Sequence, residues 1–192
     1  MTAAHDSLFR YFHQKSPLTK EEFARFSRFF TPKKVKRNEV LLREGEICQC
    51  NFFVVKGCLR FYSINSAGEI ATRYFAFEGK FATALSSLIE GKPSREYIQA
   101  AEPCELLQVS KTDYLQLVET VPQVNKAYRH LLEMAYVTSQ QRIYHFLHLP
   151  ALERLKWVME QHPGILTRLS SKMVASYLGV TPYTLSRLKS QL

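Results

Sequence analysis

The sequence has no long hydrophobic run and no secretory leader pattern. Its apolar stretches are short and interrupted by charge, whereas a helix that spans a bilayer needs roughly 20 apolar residues. The amino-terminal segment holds charges and histidines where a signal peptide would be apolar. We therefore expect a cytoplasmic protein that has no membrane partner.

Cysteine is sparse and poorly placed for a metal site. The four cysteines are Cys48, Cys50, Cys58 and Cys104. Because they form no Cys-x-x-Cys pair and no zinc-finger spacing with histidine, we expect small hydrophobic side chains, with a redox or metal role as the alternative. His145 and His148 have the i, i+3 spacing of helix-borne ligands, but no third ligand lies near them in the sequence. No metal or other cofactor is predicted.

Acidic residues are absent from Gln161 to Leu192. The whole chain of 192 residues has 26 Lys and Arg and 17 Asp and Glu, which gives a net charge of +9. A basic excess of this size favours polyanionic partners, nucleic acid first among them. From residue 150 onward the only acidic residues are Glu153 and Glu160. Charge alone names no partner, but its position indicates that the last part of the chain faces phosphates.

Short β-rich segments fill the region between residues 40 and 110, with glycines such as Gly57 and Gly79 between them. The predicted strands are Glu39–Leu42, Asn51–Val55, Cys58–Ile64, Glu69–Phe77, Glu96–Ala100 and Cys104–Val109. This spacing predicts a closed antiparallel β-roll rather than βαβ units. Histidine is absent from the region, which argues against a metal-dependent enzyme of the cupin type. We expect no enzyme and assign no catalytic residue.

Helical patterns flank the β-rich region. Thr19 and Glu22 have the spacing of a capping box, and the helical pattern that follows ends at Thr31-Pro32. Helix returns at Lys111 and, after a break at Pro122, continues to about Leu147. The predicted fold class is therefore α+β.

The long helix after Pro122 carries two apolar stripes. One stripe has the 4-3-4 spacing of a two-stranded coiled coil, although its second half is polar. It predicts a dimer interface on Val124, Tyr128, Leu131, Ala135, Thr138 and Arg142. The other stripe is expected to pack on the body of the same chain and consists of Leu132, Tyr136, Ile143 and Leu147. Packing of the first stripe within its own chain is the alternative.

The carboxyl-terminal sequence fits a helix-turn-helix. Ser170 or Ser171 can cap a first helix, and Gly179 stands where the chain leaves it, because glycine adopts the left-handed conformation without penalty. Thr181 and Pro182 then provide the N-cap and the first position of a second helix. A plain αα-hairpin fits the same apolar pattern. The Ala-x-x-x-Gly spacing, the Thr-Pro start and the basic outer face together favour DNA binding.

The second helix of this motif is expected to enter the major groove of double-stranded DNA. Arg187 is the predicted base reader, because its planar guanidinium matches O6 and N7 of guanine. Thr181, Thr184 and Lys189 suit phosphate contacts. The complete predicted DNA-binding set is Lys172, Thr181, Pro182, Tyr183, Thr184, Ser186, Arg187 and Lys189.

In their order along residues 25–192, these motifs resemble the cyclic-AMP receptor protein and fumarate–nitrate regulator (Crp/Fnr) family. The resemblance rests on Leu41–Glu46, Phe52–Gly57, Gly79–Phe81, Cys104–Ser110 and Thr181–Leu188. It implies a cyclic-nucleotide-binding-like β-roll (a double-stranded β-helix) over residues 1–120, a dimerisation helix over 121–148 and a winged-helix-like DNA-binding domain over 149–192. It also implies a homodimeric transcriptional regulator of palindromic sites, with RNA polymerase as a further candidate partner.

The ligand cassette of that family is altered in this sequence. The resemblance implies a pocket at Phe81, Thr83, Ala84, Leu85, Ser94, Arg95, Thr138 and Ser139. Family members that bind cyclic nucleotides use a Gly-Glu pair and an arginine, where this chain has Thr83-Ala84 and Ser94. Arg95 lies one residue after the position of the family's arginine. In a strand this shift turns the side chain to the opposite face, although a loop tolerates it.

We therefore expect an unknown effector other than cyclic AMP, or none. The alternative is a response to a cyclic nucleotide through Arg95, Thr138 and Ser139, although the last two hydroxyls can equally pair across the dimer seam. Residues 1–47 contain no cysteine, which excludes the iron–sulfur sensor of the family's oxygen-sensing branch. A nucleotide-binding subunit without DNA function is disfavoured by the intact helix-turn-helix.

Overall fold

The computed structural model describes Thr2–Leu192. Over these residues the helices are α1 (Ala3–Lys15), α2 (Lys20–Ser27), α3 (Leu85–Glu90), α4 (Lys111–Thr120), α5 (Pro122–His148), α6 (Ala151–Gln161), α7 (Ile165–Arg168), α8 (Ser171–Leu178) and α9 (Pro182–Lys189). The strands are β1 (Thr31–Val35), β2 (Val40–Leu42), β3 (Cys50–Lys56), β4 (Leu59–Ile64), β5 (Ile70–Ala76), β6 (Phe81–Ala82), β7 (Tyr97–Ala100) and β8 (Cys104–Ser110). None of the helices in this range combines the length and the apolar character that a bilayer crossing requires.

The strands form two four-stranded sheets, one with the order β1-β8-β3-β6 and the other with the order β2-β7-β4-β5. In the first sheet, Leu107 of β8 lies opposite Pro32 of β1 and Phe53 of β3, and both pairings are antiparallel. Pro32 lies on an edge strand, where a residue without an N–H removes no inner ladder hydrogen bond. The antiparallel sheets and the carboxyl-terminal helices confirm the predicted α+β class.

An aromatic core covers one face of the first sheet. Phe53 and Leu107 are fully buried there, together with side chains of α1, α2, α4 and the start of α5. The ring centroid of Phe81 lies 5.2 Å from that of Phe53 and 5.8 Å from that of Tyr114. Because each buried ring removes on the order of 150–250 Å² from water, these rings dominate the packing of this core.

The capping box predicted before α2 is present. The Glu22 amide donates to the Thr19 hydroxyl at 3.2 Å, and the Thr19 amide donates to the Glu22 carboxylate at 2.8 Å. The six predicted strands agree with β2, β3, β4, β5, β7 and β8 to within one residue at each end. The sequence pattern does not predict β1, β6 or α3.

The chain divides into two compact units. The first unit contains the residues up to Phe61 together with Phe75–Met134, and the second contains Tyr62–Tyr74 together with Ala135–Leu192. The outer part of the β4–β5 hairpin and the carboxyl half of α5 therefore belong to the second unit. The domain boundaries at residues 120 and 148 stay predictions.

The carboxyl-terminal segment is entirely helical. Residues 149–192 form α6, α7, α8 and α9 and contain no strand. A wing, which is a β-hairpin, is therefore not found among residues 149–192. The helix-turn-helix pair α8–α9 contacts other helices instead, chiefly α6 and α7.

Candidate nucleic-acid interface

The turn between α8 and α9 is built from residues that suit its backbone. Ser170 caps α8 by accepting a hydrogen bond from the Met173 amide. Gly179 has a φ of +67°, in the left-handed region that glycine adopts without steric cost. The Val180 amide donates to the Ala175 carbonyl at 3.1 Å, which satisfies one carbonyl at the end of the helix.

The second helix of the motif, α9, begins with a polar cap and is anchored by leucines. The Thr184 amide donates to the Thr181 hydroxyl at 3.0 Å, and the two threonine hydroxyl oxygens lie 2.9 Å apart. Pro182 follows at the first helical position, where an amide would have no partner in the helix. Leu185 and Leu188 are buried, and α9 contacts α6 and α8. These contacts determine which face of α9 is turned outward.

The outward face of α9 carries most of the predicted DNA-binding side chains. Tyr183 is 73% exposed, and Arg187 and Ser186 are exposed beside it. The other exposed members of the set are Lys172, Thr181 and Pro182, and the half-buried members are Thr184 and Lys189. The Lys189 ammonium donates to the Ser171 hydroxyl at 3.3 Å. The structure therefore brings all of the predicted residues together on the α8–α9 hairpin.

This hairpin presents positive charge without an acidic residue. Lys172, Arg187 and Lys189 contribute three positive charges, and the sequence from Gln161 to Leu192 contains no Asp or Glu. The amino-terminal end of a helix adds a partial positive charge. An exposed guanidinium in this setting can form paired hydrogen bonds with a phosphate or with the edge of a guanine.

The predicted assignment of the two stripes of α5 is corrected by the structure. Val124, assigned to a dimer interface, is 1% exposed and lies in the core of the first unit, and Tyr128 packs against that core. Tyr136, Ile143 and Leu147, which were expected to pack on the chain itself, are 67%, 53% and 74% exposed. The stripe of Tyr136, Ile143 and Leu147 is therefore the open face of α5.

The other members of the predicted interface differ in their exposure. Leu131 and Thr138 are half-buried and Ala135 is exposed. Arg142 is used by its own chain, since its Nη2 donates to the carbonyls of Thr72 and Tyr177, each at 3.2 Å. Arg142 is therefore not part of the open face of α5, because its contacts, like those of Val124, lie within its own chain.

Several residues of the predicted ligand pocket pack within the chain. In the first unit, the Phe81 ring packs in the aromatic core described above. Ala84 is 1% exposed and precedes α3, and Leu85 is half-buried at the start of that helix. Thr138, half-buried, and Ser139, exposed, belong to the second unit.

The hydroxyls at the altered cassette positions bond within the chain. Ser94 is 4% exposed, and its Oγ donates to the Glu96 carbonyl at 2.8 Å. The Thr83 hydroxyl donates to the Cys50 carbonyl at 3.0 Å. Arg95 is exposed. Among the predicted pocket residues of the first unit, Arg95 has the one charged side chain.

A cavity of about 370 Å³ lies in the first unit, within the size range of small-molecule sites. Its lining includes Lys33, Glu39, Cys48, Cys50 and Gln108. The Gln108 amide donates to Cys50 Sγ at 3.2 Å. Burial raises the pKa of the Cys50 thiol, and the adjacent Cys48 raises it further. The sequence does not reveal this cavity, because its polar residues come from β1, β3, β8 and the segments that precede β2 and β3, and they share no local spacing.

The paired histidines of α5 pack against aromatic rings. The His145 ring centroid lies 4.4 Å from that of Trp157, and the His148 centroid lies 4.7 Å from that of Tyr144. Between Thr2 and Leu192, no cluster of three or more His, Cys, Asp or Glu is arranged to hold a metal ion.

One family and several solved structures match the chain. Residues 32–121, from β1 to the end of α4, match the cyclic nucleotide-binding domain family. No curated protein matches the sequence.

The matching structures are similar to this chain over most of its length. The c-di-GMP responsive global regulator CLP from Xanthomonas campestris is 15% identical with a TM-score of 0.72, and 88% of each chain is covered. FixK2 from Bradyrhizobium japonicum is 20% identical with a TM-score of 0.73, covering 85% of this chain and 84% of FixK2. A CRP/FNR family transcriptional regulator from Thermus thermophilus is 15% identical with a TM-score of 0.66, and 84% of each chain is covered.

Residues 32–121 thus resemble a cyclic nucleotide-binding domain. Over most of its length, the chain has the fold of the CRP/FNR-type transcriptional regulators. The resemblance seen in the sequence is confirmed.

Proposed function

We propose that this chain is a cytoplasmic transcriptional regulator that binds double-stranded DNA. The observation that carries the proposal is the outward face of α9, where Tyr183 and Arg187 are exposed on a capped and anchored helix. Helix-turn-helix proteins place such a helix in the major groove. Arg187 reads a guanine, Lys172 and Lys189 contact phosphates, and RNA polymerase is the further partner that regulation of transcription implies.

The regulator acts as a homodimer through the open face of α5. Tyr136, Ile143 and Leu147 are separated by seven and four residues, which is the spacing of a coiled-coil seam. Large apolar side chains that are 67%, 53% and 74% exposed are typical of an interaction surface. A second copy of α5 is the occupant, because a two-fold pair of helix-turn-helix motifs reads half-sites about 34 Å apart.

Electrophoretic mobility shifts with genomic fragments and excess competitor DNA test DNA binding. The wild type is expected to bind selected fragments at moderate salt in the presence of competitor. Arg187→Ala is expected to lose about 1–3 kcal/mol of discrimination at the base that Arg187 contacts. Arg129→Ala removes an exposed arginine of α5 and is the matched control that binds as the wild type does. Wild-type binding without preference over competitor DNA contradicts the proposal.

The effector of this regulator is not cyclic AMP. Ser94 and Thr83 donate their hydroxyls to carbonyls of the same chain, and Ala84 carries no carboxylate for a ribose. Each missing hydrogen bond to a charged group removes roughly 1.5–3 kcal/mol of binding free energy.

A cyclic-nucleotide response through Arg95, Thr138 and Ser139 is the second candidate, and the family match of residues 32–121 favours it. Calorimetry with cyclic AMP, cyclic GMP and c-di-GMP, the last being the nucleotide associated with CLP, distinguishes the two. Micromolar binding of cyclic AMP that Arg95→Gln abolishes, and that the exposed-arginine control Arg25→Gln retains, establishes the second candidate. Absence of binding supports the first.

A further inference from the structure

Three arginines lie close together in the second unit. The guanidinium carbon of Arg142 lies 4.1 Å from the ring centroid of Phe146, and that of Arg154 lies 5.0 Å from the same centroid. The two guanidinium carbons are therefore no more than about 9 Å apart. Burial lowers the pKa of Arg142, and the positive charges of Arg73 and Arg154 lower it further. Arg73 directly follows Thr72, whose carbonyl accepts a hydrogen bond from Arg142 at 3.2 Å. We call these three residues the arginine cluster.

The charges of Arg142 and Arg154 are not balanced by nearby carboxylates. Across residues 2–192, neither Arg142 nor Arg154 forms an ion pair with an acidic side chain. Glu153, the neighbour of Arg154 in sequence, pairs instead with Lys156 at 3.0 Å. Like charges in half-buried surroundings repel one another more strongly than in water. An anion that enters the cluster relieves this repulsion.

Two buried donors of the cluster have no acceptor. Arg142 uses Nη2 to bond the carbonyls of Thr72 and Tyr177, but its Nη1 is buried without a partner, and so is the Nε of Arg154. Buried polar groups are nearly always hydrogen-bonded, so each such atom calls for a partner. As residues, Arg142 and Arg154 are half-buried and Arg73 is exposed, so the cluster extends from the interior to the surface.

We propose that the arginine cluster binds a phosphate-type oxyanion, with Arg142 and Arg154 as the main ligands and Arg73 at the entrance. Planar guanidinium groups match tetrahedral oxyanions because each presents two parallel N–H donors. The inference does not rest on DNA binding by α9. The phosphate group belongs either to a free phosphorylated compound or to the DNA backbone, and the experiment below separates these sources.

An anion in the cluster acts on the support of the helix-turn-helix. Arg142 already joins Thr72 of β5 to Tyr177 of α8, and the hydroxyls of Thr72 and Ser176 lie 2.5 Å apart between the same two elements. Occupancy of the cluster strengthens this connection, because it fixes the guanidinium that bridges β5 and α8. A phosphorylated ligand would in this way stiffen the first helix of the motif.

Thermal unfolding of the full chain tests the site in the absence of DNA. Inorganic phosphate at millimolar concentration is expected to raise the unfolding temperature by a few degrees more than chloride at the same ionic strength, because a ligand that binds the folded state stabilises it. Arg154→Gln should weaken phosphate binding at least tenfold while leaving the two hydrogen bonds from Arg142 to the carbonyls of Thr72 and Tyr177 intact. Arg129→Gln, an exposed arginine of α5, should respond as the wild type does.

Phosphorus-31 line broadening of phosphate added to the wild type measures the same binding directly, so the site stays testable if Arg154→Gln does not fold. An equal response to phosphate and chloride overturns the proposal. An undiminished phosphate response in Arg154→Gln overturns it as well.

Repeating the titration with a short duplex distinguishes the two sources of phosphate. If DNA displaces phosphate, and Arg154→Gln reduces the salt dependence of DNA binding by about one charge, the DNA backbone occupies the cluster. If phosphate and DNA bind together, the ligand is a free phosphorylated compound. Both results support the site. A chain that binds phosphate but shifts no DNA contradicts only the function proposed for α9.

Discussion

The Thr181 hydroxyl accepts a hydrogen bond from the Thr184 amide at 3.0 Å and thereby closes the first turn of α9. Free amides at a helix start need a side-chain acceptor or water, and threonine supplies one without altering the helix. The same turn carries the residues that we propose to contact DNA. The cap therefore connects the stability of α9 to the geometry of its outward face.

Replacing Thr181 with alanine removes this acceptor. We expect Thr181→Ala to lower the free energy of unfolding by about 1 kcal/mol, the usual loss for an N-cap, and to weaken DNA binding. Thr181→Ser keeps the acceptor and should retain most of the stability. Urea unfolding and mobility shifts measure the two effects, and an alanine variant as stable as the serine variant contradicts the role of the cap.

Gly57 is expected to tolerate no side chain. It has a φ of +97°, and a Cβ there would lie 2.6 Å from the Pro103 carbonyl oxygen and 2.7 Å from Cys104 Sγ. Gly57→Ala should destabilise the first unit by more than about 2 kcal/mol, since a positive φ alone costs roughly 1–2 kcal/mol in an alanine. Gly45 also has a positive φ, +86°, but open space around it. Gly45→Ala therefore isolates the backbone contribution, and equal losses in urea unfolding contradict the steric argument.

A charge placed on the open face of α5 is expected to disrupt the proposed dimer. Leu147→Glu places a carboxylate where a second copy of α5 would pack, and burying an unpaired charge costs several kcal/mol. We expect sedimentation velocity to show a wild-type dimer and a Leu147→Glu monomer at micromolar concentration. Gln141→Glu introduces the same charge at an exposed position away from the stripe and should remain dimeric. A monomeric wild type contradicts the seam.

We expect the buried thiol of Cys104 to make the folded protein less stable at alkaline pH. Its pKa is raised from 9.0 to about 11, chiefly because burial disfavours the thiolate. The unfolded chain therefore releases this proton at a lower pH than the folded chain does. The contribution of the thiol is fully present below pH 9 and is lost as the pH rises to about 11.

Unfolding free energies of the wild type and of Cys104→Ala, measured at about pH 8 and about pH 10, isolate this thiol from other titrating groups. The stability difference between the two proteins should become smaller at the higher pH. A constant difference contradicts the raised pKa.

Local patterns predict much of this protein. The Thr19–Glu22 box, the Gly179 turn and the Thr181-Pro182 start are signals within a few neighbouring residues, and the structure has a cap or turn at each. β1 carries no such signal, because Thr-Pro-Lys-Lys-Val has neither alternation nor a run of β-branched residues. Its pairing with β8 makes it a strand, and a partner more than seventy residues away leaves no trace in local spacing.

By itself, the sequence determined the α+β class, the order of most elements, the capped helices of the carboxyl end and the two apolar stripes of α5. Tertiary structure decided which stripe is open. Both stripes are apolar at helical spacing, and only the aromatic core that encloses Val124 leaves Tyr136, Ile143 and Leu147 exposed. It also assembled the arginine cluster from β5, α5 and α6. Periodicity reports which residues share a face of one element, whereas burial and charge depend on what the rest of the chain places against that face.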